Sequence, residues 1–313
     1  MRAAAVERYG PPEVVSVVER PDPVPGKGQA VVRVHATAVN SGDARIRGAR
    51  FPRGFAVPGR LALGLRGPRR EVLGVVYSGV VEAVGPGVGA VSVGDAVCGM
   101  TGAAMGAHAE LVGVRVDRMT AKPAAVSHEQ AAAILFGGST ARHFLRDLVG
   151  PGKRVLVNGA SGAVGSAAVQ IAHLAGARVP GVCSARNADL VRSLGAEEVV
   201  DHARHRVAEL TERYDVVLDT VGNLDRRSGR RLLASDGVLV LAAAGLADTV
   251  LARANVRAGV SSEDPAHFAW LLERVAAGEL RAVVERTLPL AQVAEAHRLV
   301  DSGRKIGNLV LTP

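Results

Sequence analysis

A glycine-spaced turn between an apolar run and a helical pattern constrains the fold of this chain most. The segment VLVNGASGAVGSAAVQIA (155–172) begins with residues suited to a buried strand, and its later apolar residues recur at helical spacing. Gly162 and Gly165 would let the backbone approach a pyrophosphate, to which the helix N-terminus would offer free N–H groups. Ala160 stands where the first glycine of the G-x-G-x-x-G pattern would be. The segment predicts a nucleotide-binding strand, turn and helix, with an ordinary tight turn as the alternative.

The end of the next predicted strand, residues 178–183, indicates which dinucleotide is bound. An NAD-selective fold places Asp or Glu about 20 residues after the glycine turn, where it accepts from the ribose hydroxyls. This chain has Ser184, Arg186 and Asn187 there. A guanidinium donates to phosphate oxygens in a planar fork, whereas a carboxylate would repel them. We therefore predict NADPH as the cofactor, the alternative being that Arg186 is a solvated residue at a helix start.

Length and composition describe a folded protein of about two domains. The 313 residues are 48% hydrophobic and 22% charged. No apolar run approaches the roughly 20 residues of a membrane span, and the first residues lack the apolar core of a signal peptide. We therefore expect a cytoplasmic protein. Cys98 and Cys183 lie far apart in sequence, so a disulfide framework is not indicated.

The formal charge of +8 and the pI near 10.3 come almost wholly from arginine. The arginines are spread along the chain, with local concentrations at 60–70 and 226–231. No helix-turn-helix, zinc-finger or RNA-binding signature accompanies them. A general basic surface is therefore expected, and nucleic acid is an improbable partner.

The pattern of predicted elements changes once along the chain. The first 122 residues contain short strands between Gly/Pro turns, which is typical of a β-rich, barrel-like domain. From about residue 126, helices alternate with apolar strands, which predicts a doubly wound parallel sheet. Two more helices and a short strand follow residue 265. We predict an α/β fold in which 1–122 and 265–313 form one domain around a nucleotide domain at 123–264, with the ligand in the cleft between them.

Segments along most of the chain resemble those of the zinc-independent medium-chain dehydrogenases and reductases, in the quinone oxidoreductase or zeta-crystallin group. The quoted matches are ATAVNSGDARIRG (36–48), LGVVYSGVVEAVGPGV (73–88), GAHAELV (106–112), AAAILFGGSTARHFL (131–145), LVRSLGAEEVVDH (190–202), YDVVLDTVG (214–222) and SGRKIGNLVLT (302–312). The resemblance implies a GroES-like catalytic domain beside a Rossmann NADPH-binding domain, usually in a homodimer. It also implies NADPH-dependent reduction of quinones, enals, enones and related small molecules.

The resemblance implies a set of cofactor-binding positions. They are Asn40 and Thr140 beside the nicotinamide, Gly162, Ala163 and Val164 at the pyrophosphate, Ser184, Arg186 and Asn187 at the 2′-phosphate, Ala243, Ala244 and Gly245 after the strand that lies against the nicotinamide, and Asn308 at a polar position near the cofactor.

No zinc site is expected. A catalytic zinc needs three protein ligands, usually Cys, His or acidic residues. Where zinc-dependent relatives place them, this chain has Asn40, the pair 75–76 (two valines) and the glycines at 137–138. His202 and His205 have helical spacing but no third ligand nearby, which favours surface positions.

Catalysis without a metal requires other groups to stabilise the carbonyl oxygen and to supply a proton. Asn40 is the first candidate donor. Tyr77 and His108 are candidate acids, with a buried structural tyrosine and a turn histidine as the alternatives. Asp43 is expected to cap the helical turn at 44–47. Family members commonly carry an acidic residue where this chain has Val76.

Other functions stay open at this point. A tailoring enoyl or ketone reductase would act on a larger biosynthetic intermediate, and the long arginine-rich loop Arg50–Glu71 would then form a pocket wall. That loop interleaves Phe51, Phe55 and three leucines, and it either forms a substrate lid or covers the mouth of the barrel. A third hypothesis is a noncatalytic NADPH-binding sensor or nucleic-acid-binding protein.

Overall fold

The computed structural model describes every residue from Met1 to Pro313, and it has fifteen strands and nine α-helices. None of the helices combines the length and the apolar character that crossing a membrane requires. The strands are β1 (Arg2–Val6), β2 (Val15–Glu19), β3 (Gln29–Val39), β4 (Val76–Val84), β5 (Ala96–Met100), β6 (Leu111–Arg115), β7 (Met119–Ala121), β8 (Val155–Asn158), β9 (Pro180–Cys183), β10 (Glu198–Asp201), β11 (Tyr214–Asp219), β12 (Leu233–Leu241), β13 (Val256–Ala258), β14 (Val284–Pro289) and β15 (Asn308–Thr312). The helices are α1 (Ser41–Arg47), α2 (Ala56–Leu63), α3 (His128–Leu145), α4 (Ala163–Leu174), α5 (Ala188–Ser193), α6 (Arg226–Arg230), α7 (Leu246–Val250), α8 (Pro265–Ala276) and α9 (Val293–Asp301).

The β-rich part is built from both ends of the chain. Its seven-stranded sheet has the order β14-β15-β3-β4-β5-β7, and β6 pairs with β3 outside that path. The last strand, β15, lies between β14 on one side and β3 on the other, with Leu309 opposite Val39. Alternating apolar residues of β3 and β4 fill the interior, as expected for strands with one buried face. Strands from the N-terminal region and the last two strands of the chain therefore share one sheet, while β1 and β2 pair as a separate two-stranded sheet.

The nucleotide-binding part is a six-stranded parallel sheet with the order β10-β9-β8-β11-β12-β13. From β8 the chain moves outward to β9 and β10, and it then returns to place β11, β12 and β13 on the opposite side. The order thus reverses between β8 and β11, and in open parallel sheets ligands bind at the carboxyl ends of such a pair. The four residues of β8 and the four of β9 are all buried, because helices cover both faces.

Helix α3 joins the two parts. It packs on α4 and α8 and also on β3, β4 and β5. Its first turn is capped by Ser127, whose hydroxyl accepts from the Gln130 N–H at 3.2 Å. A Cβ on Gly137 would lie 2.3 Å from the Ala163 carbonyl oxygen, so only glycine lets α3 approach the start of α4 this closely. Most of the helix is consequently buried.

Two local predictions differ from the structure. The strand predicted from residue 72 begins only at Val76, because Gly74 has a positive φ of +87° and His108 packs where its Cβ would be, 2.3 Å away. The loop at 50–71 contains a helix, α2, that the sequence does not predict. Pro58 and Gly59 lie inside it, and both residue types are normally rare there.

Candidate functional site

The glycine turn after β8 leaves its backbone exposed to a ligand at the switch point of the sheet. Gly159 has a φ of +85°, and a Cβ on Gly165 would lie 2.0 Å from the Gly159 carbonyl oxygen. Gly162 precedes the first residue of α4, Ala163, so the N–H groups of the first turn lack helical acceptors. The geometry fits a pyrophosphate, because the helix N-terminus carries partial positive charge as well as free donors.

The C-terminal loop braces this turn. The Gly307 N–H donates to the Ser161 carbonyl at 2.8 Å, and Lys305 Nζ donates to the Gly307 carbonyl at 2.5 Å. Burial lowers the pKa of Lys305 to about 8. The sequence analysis missed Ser161 and Lys305, because the pairing joins segments that lie far apart in sequence and no local pattern reports it.

The residues predicted to bind the 2′-phosphate lie together after β9. Ser184 Oγ lies 3.0 Å from His202 Nε2, and Arg186 Nη2 donates to the Arg304 carbonyl at 3.0 Å. The Asn187 amide donates to Ser161 Oγ at 3.0 Å, which ties this group to the glycine turn. His202 is exposed, as expected, but it also contacts this group, which the sequence analysis did not foresee.

Two buried polar atoms near the turn have no partner in the protein. They are Asn187 Oδ1 and Asn308 Oδ1, whose amide groups otherwise donate to Ser161 and to the Val283 carbonyl. Buried acceptors are nearly always satisfied in native proteins. Both residues belong to the predicted cofactor set, so a bound ligand with hydroxyl or amide donors would satisfy them.

A buried carboxylate orders the loop after β11. Asp219, which is 1% exposed, accepts from the Asn158 amide at 2.8 Å and from the backbone N–H groups of Val221, Gly222 and Leu224. The side chains that end β8 and β11 therefore hold each other at the switch point. The motif YDVVLDTVG contains this aspartate. The role of Asp219 depends on the pairing of β8 with β11, which cannot be predicted from a local sequence pattern.

The predicted nicotinamide end lies where β12 ends. The Ala242 N–H donates to the Asp219 carbonyl at 2.9 Å, and residues 243–245 follow with Gly245 as the N-cap of α7. The Leu246 N–H then donates to the Arg53 carbonyl of the arginine-rich loop at 2.8 Å. This contact places residues 51–55 of the barrel part across the cleft from the end of β12.

Thr140 reaches the cleft from α3. Its hydroxyl donates to the Phe136 carbonyl at 2.9 Å and lies 3.2 Å from Ser261 Oγ. One turn of helix separates Thr140 from Gly137, which contacts the start of α4. The packing of Gly137 on α4 therefore fixes the position of Thr140 relative to the glycine turn.

Asn40 is the N-cap of α1 and is 3% exposed. Its backbone N–H donates to Asp43 Oδ2 at 2.8 Å, and its amide donates to the Ala38 carbonyl at 3.4 Å. Asp43 also accepts from the Gly74 N–H at 3.2 Å. The expectation that Asp43 caps the helix is wrong in detail, because Asp43 is the third helical residue and reaches back to the cap. Burial raises the pKa of this carboxyl.

The two candidate acids are enclosed by the barrel. Tyr77 is fully buried, its hydroxyl has no partner, and burial raises its pKa well above the ordinary value. His108 Nε2 lies 3.2 Å from the Ala38 carbonyl, and the ring meets His297 edge-on at 6.2 Å. These positions favour the structural interpretation of both residues over a role as proton donor.

Nothing in the structure groups three or more His, Cys, Asp or Glu side chains in the way a metal site requires. Of the three places where zinc-dependent relatives carry ligands, the valine at 76 is buried in the core beside Cys98. The glycines at 137–138 pack against Ala163 and Leu271. The donor set at these positions does not fit a zinc ion.

Comparison with known proteins agrees with this architecture. Residues 26–124 match the alcohol dehydrogenase GroES-like domain, and residues 194–311 match the family described as zinc-binding dehydrogenase. The chain is 31% identical to a quinone oxidoreductase of Pseudomonas aeruginosa, with 97% of each chain covered. It is 30% identical to a mitochondrial NAD(P)H oxidoreductase of Mus musculus, covering 99% of this chain and 89% of the relative. The structure of the quinone oxidoreductase from Coxiella burnetii superposes with a TM-score of 0.90 at 28% identity, covering 100% and 99% of the two chains.

A GroES-like barrel joined to a parallel dinucleotide-binding sheet defines a medium-chain dehydrogenase or reductase. Within that superfamily of oxidoreductases the chain belongs to the quinone oxidoreductase family, since its similarity to such a protein extends over nearly its whole length.

Proposed function

We propose that the protein transfers a hydride from NADPH to a quinone or an activated alkene, such as an enone or enal, without a metal ion. The observation that carries the choice of NADPH is the group formed by Ser184, Arg186 and Asn187 after β9, beside the glycine turn. Relatives named as quinone oxidoreductases and NAD(P)H oxidoreductases support the reaction class.

The chain's own residues supply binding and orientation. The first turn of α4 would hold the pyrophosphate, and the Arg186 guanidinium would face the 2′-phosphate. Thr140 and the backbone after β12 would border the nicotinamide. When bound, NADPH supplies the hydride, so the protein needs no redox group of its own.

Asn40 is the proposed donor to the acceptor's carbonyl oxygen. As hydride adds to the β-carbon of an enone, negative charge develops on that oxygen, and a preorganised amide N–H lowers the energy of this state. The Asn40 amide donates one N–H to the Ala38 carbonyl at 3.4 Å, which orients it and leaves its second N–H for the acceptor's oxygen. With Tyr77 and His108 enclosed, we propose that water in the cleft protonates the product.

A panel of acceptors tests the proposed function. The absorbance of the reduced nicotinamide follows the oxidation of NADPH. The acceptors compared are quinones, enones, enoyl thioesters and ketones. We expect turnover with quinones or enones and little with simple ketones. Turnover confined to enoyl thioesters would instead support a tailoring enoyl reductase. An absence of turnover with every acceptor, despite tight NADPH binding, would support the noncatalytic hypothesis.

The homodimer is also a proposal. Strand β13 lies at the edge of the parallel sheet and pairs only with β12, so its outer backbone groups are open to a strand from a second copy. Sedimentation equilibrium distinguishes the monomer mass of 32.3 kDa from its double.

A further inference from the structure

One helix of the protein leaves its apolar side chains in water. None of the residues of α2 is buried. Val57 and Leu61 in α2 and Leu65 just beyond its C-terminal end are 70%, 60% and 64% exposed. A group of exposed aliphatic side chains this close together is typical of a surface that meets an apolar partner. We call residues 56–70 the cationic segment because of the arginines it carries.

The cationic segment contains no acidic residue, and none occurs anywhere between Ala44 and Arg70. The nearest carboxylates, Glu7 and Glu71, are bound by Arg20 at 3.8 and 2.6 Å instead. No ion pair therefore neutralises the exposed arginines of the segment or the neighbouring Arg8. The arginines of the segment are Arg60, Arg66, Arg69 and Arg70.

The cationic segment begins at the mouth of the cleft. Immediately before it, Arg53 accepts from the Leu246 N–H, and a Cβ on Gly54 would lie 2.8 Å from Leu246 Cβ. On the other side of this contact, Val250 of α7 is 70% exposed. The two helices that flank this contact, α2 and α7, thus both expose apolar side chains, and α7 follows the end of β12.

We propose that the cationic segment docks the protein on an anionic lipid surface. The arginines bind the headgroups while Val57, Leu61 and Leu65 enter the boundary between headgroups and acyl chains. The long arginine side chains allow this, because their stems lie along apolar surface while the charges stay at the headgroups. The consequence for the substrate, that an apolar quinone or enone enters the cleft directly from the bilayer, rests on the proposed function.

Two other occupants fit the surface less well. In a two-fold dimer the same patch meets itself, so five arginines would face five arginines at close range. An acidic protein would match the charge, but the centres of protein interfaces are enriched in aromatic residues. The aromatic side chains of this loop, Phe51 and Phe55, are half-buried, and the exposed residues are aliphatic.

Vesicle flotation with the full chain tests the proposal. We expect binding to phosphatidylcholine vesicles that contain phosphatidylglycerol, weak binding to pure phosphatidylcholine, and loss of binding in high salt. The first variant replaces three arginines whose side chains make no hydrogen bond or ion pair, Arg8→Gln, Arg66→Gln and Arg70→Gln. Its matched control replaces three exposed arginines elsewhere, Arg178→Gln, Arg213→Gln and Arg286→Gln, with the same change in net charge. We expect about tenfold or greater loss of binding for the first and about twofold or less for the control.

The apolar contribution has its own pair of variants. Leu61→Ser with Leu65→Ser removes two exposed leucines, and Val24→Ser with Val93→Ser removes two exposed valines at distant sites (87% and 63% exposed). Only the first pair should weaken binding to the anionic vesicles, and circular dichroism shows whether each variant is folded.

Several results would overturn the proposal. These are equal binding to neutral and anionic vesicles, equal loss in the test and control variants, or no binding at all. Binding of an acidic carrier protein or of DNA through the same arginines, with vesicles left unbound, would also overturn it. A wild-type protein that binds anionic vesicles but reduces no acceptor would contradict the proposed function and leave the docking surface intact.

Discussion

The proposed preference for NADPH over NADH rests on a few residues after β9. Arg186 is exposed, and its single hydrogen bond is to the backbone of Arg304, so removing it should leave the fold unchanged. A hydrogen bond between a guanidinium and a phosphate is among the strongest that proteins form in water.

Arg186→Ala tests this selection. We expect the Kd for NADPH to rise by about tenfold or more, because a charge-assisted contact is lost, and the Kd for NADH to stay within about twofold. Fluorescence titration with each cofactor measures both values. Arg213→Ala, an exposed arginine away from the turn, is the control. Equal affinity of the wild type for NADPH and NADH would contradict the assignment of the 2′-phosphate site.

His297 contributes to how stability depends on pH. It is fully buried, both ring nitrogens lack partners, and burial together with His108, Arg47 and Arg50 lowers its pKa to about 2. The unfolded chain therefore binds more protons than the folded one below the ordinary pKa of about 6.5. Stability from this residue is fully present above that pH and is lost as the pH falls through it.

We expect His297 alone to cost about 2 kcal/mol of unfolding free energy between pH 7 and pH 5. His297→Leu should remove this dependence and leave the stability at pH 7 equal or higher, since it replaces two unpaired polar atoms by an apolar group. Urea unfolding at both pH values measures the difference. The exposed His205→Leu should retain the wild-type dependence, and an unchanged pH profile in His297→Leu would contradict the argument.

At the scale of elements, the packing of α3 on α4 sets the position of Thr140 relative to the glycine turn. The distance depends on Gly137, whose missing side chain leaves room for the Ala163 carbonyl. Backbone atoms cannot rotate away from an added methyl group, so relief requires that one helix shift.

Gly137→Ala should therefore destabilise the protein by about 1–3 kcal/mol and weaken NADPH binding at the same time. Thermal unfolding with and without NADPH measures both effects. Gly150→Ala is the matched control, because nothing lies within 4 Å of its added Cβ. If Gly137→Ala lowered stability but left the Kd for NADPH unchanged, the helix contact would be structural only.

Sequence patterns predict most of the elements in their correct order, but they do not predict several contacts between these elements. Helical periodicity predicted 267–277 and 293–300, which the structure gives as α8 and α9. The helix α2 was missed because Pro58 and Gly59 argue against it locally, and tertiary context overrides such preferences. The glycine turn and the residues after β9 are local patterns that the sequence shows directly, and their role in binding the cofactor stays a prediction. The Asn158–Asp219 contact was not, because it depends on which strands are neighbours.

At the scale of the whole molecule, the final strand completes the β-rich sheet. Strand β15 pairs with both β14 and β3, and Leu309, Val310 and Leu311 are fully buried. Without it β14 would lose its only strand partner, and the end of β3 at residues 37–39 would become an edge, although β6 still pairs with the start of β3.

Deletion of residues 308–313 should consequently abolish cooperative unfolding of the β-rich part and expose apolar surface. Binding of a hydrophobic dye measures the exposed apolar surface, and far-UV circular dichroism follows the unfolding transition. Deletion of Pro313 alone is the control and should behave as the wild type. A truncated chain that unfolds cooperatively at the wild-type temperature would contradict the importance of β15.

The position of β15 also sets an order of events during biosynthesis. The ribosome releases the whole parallel sheet before it makes the last strand, and domains generally fold as units while the chain emerges. The β-rich sheet must wait until residues 308–312 have been made. The loop before β15 carries Gly307, which donates to Ser161 in the glycine turn, so this brace on the turn forms at the same late stage. A nascent chain can thus shape its parallel sheet first, but its glycine turn is held in place only once residue 307 has been added.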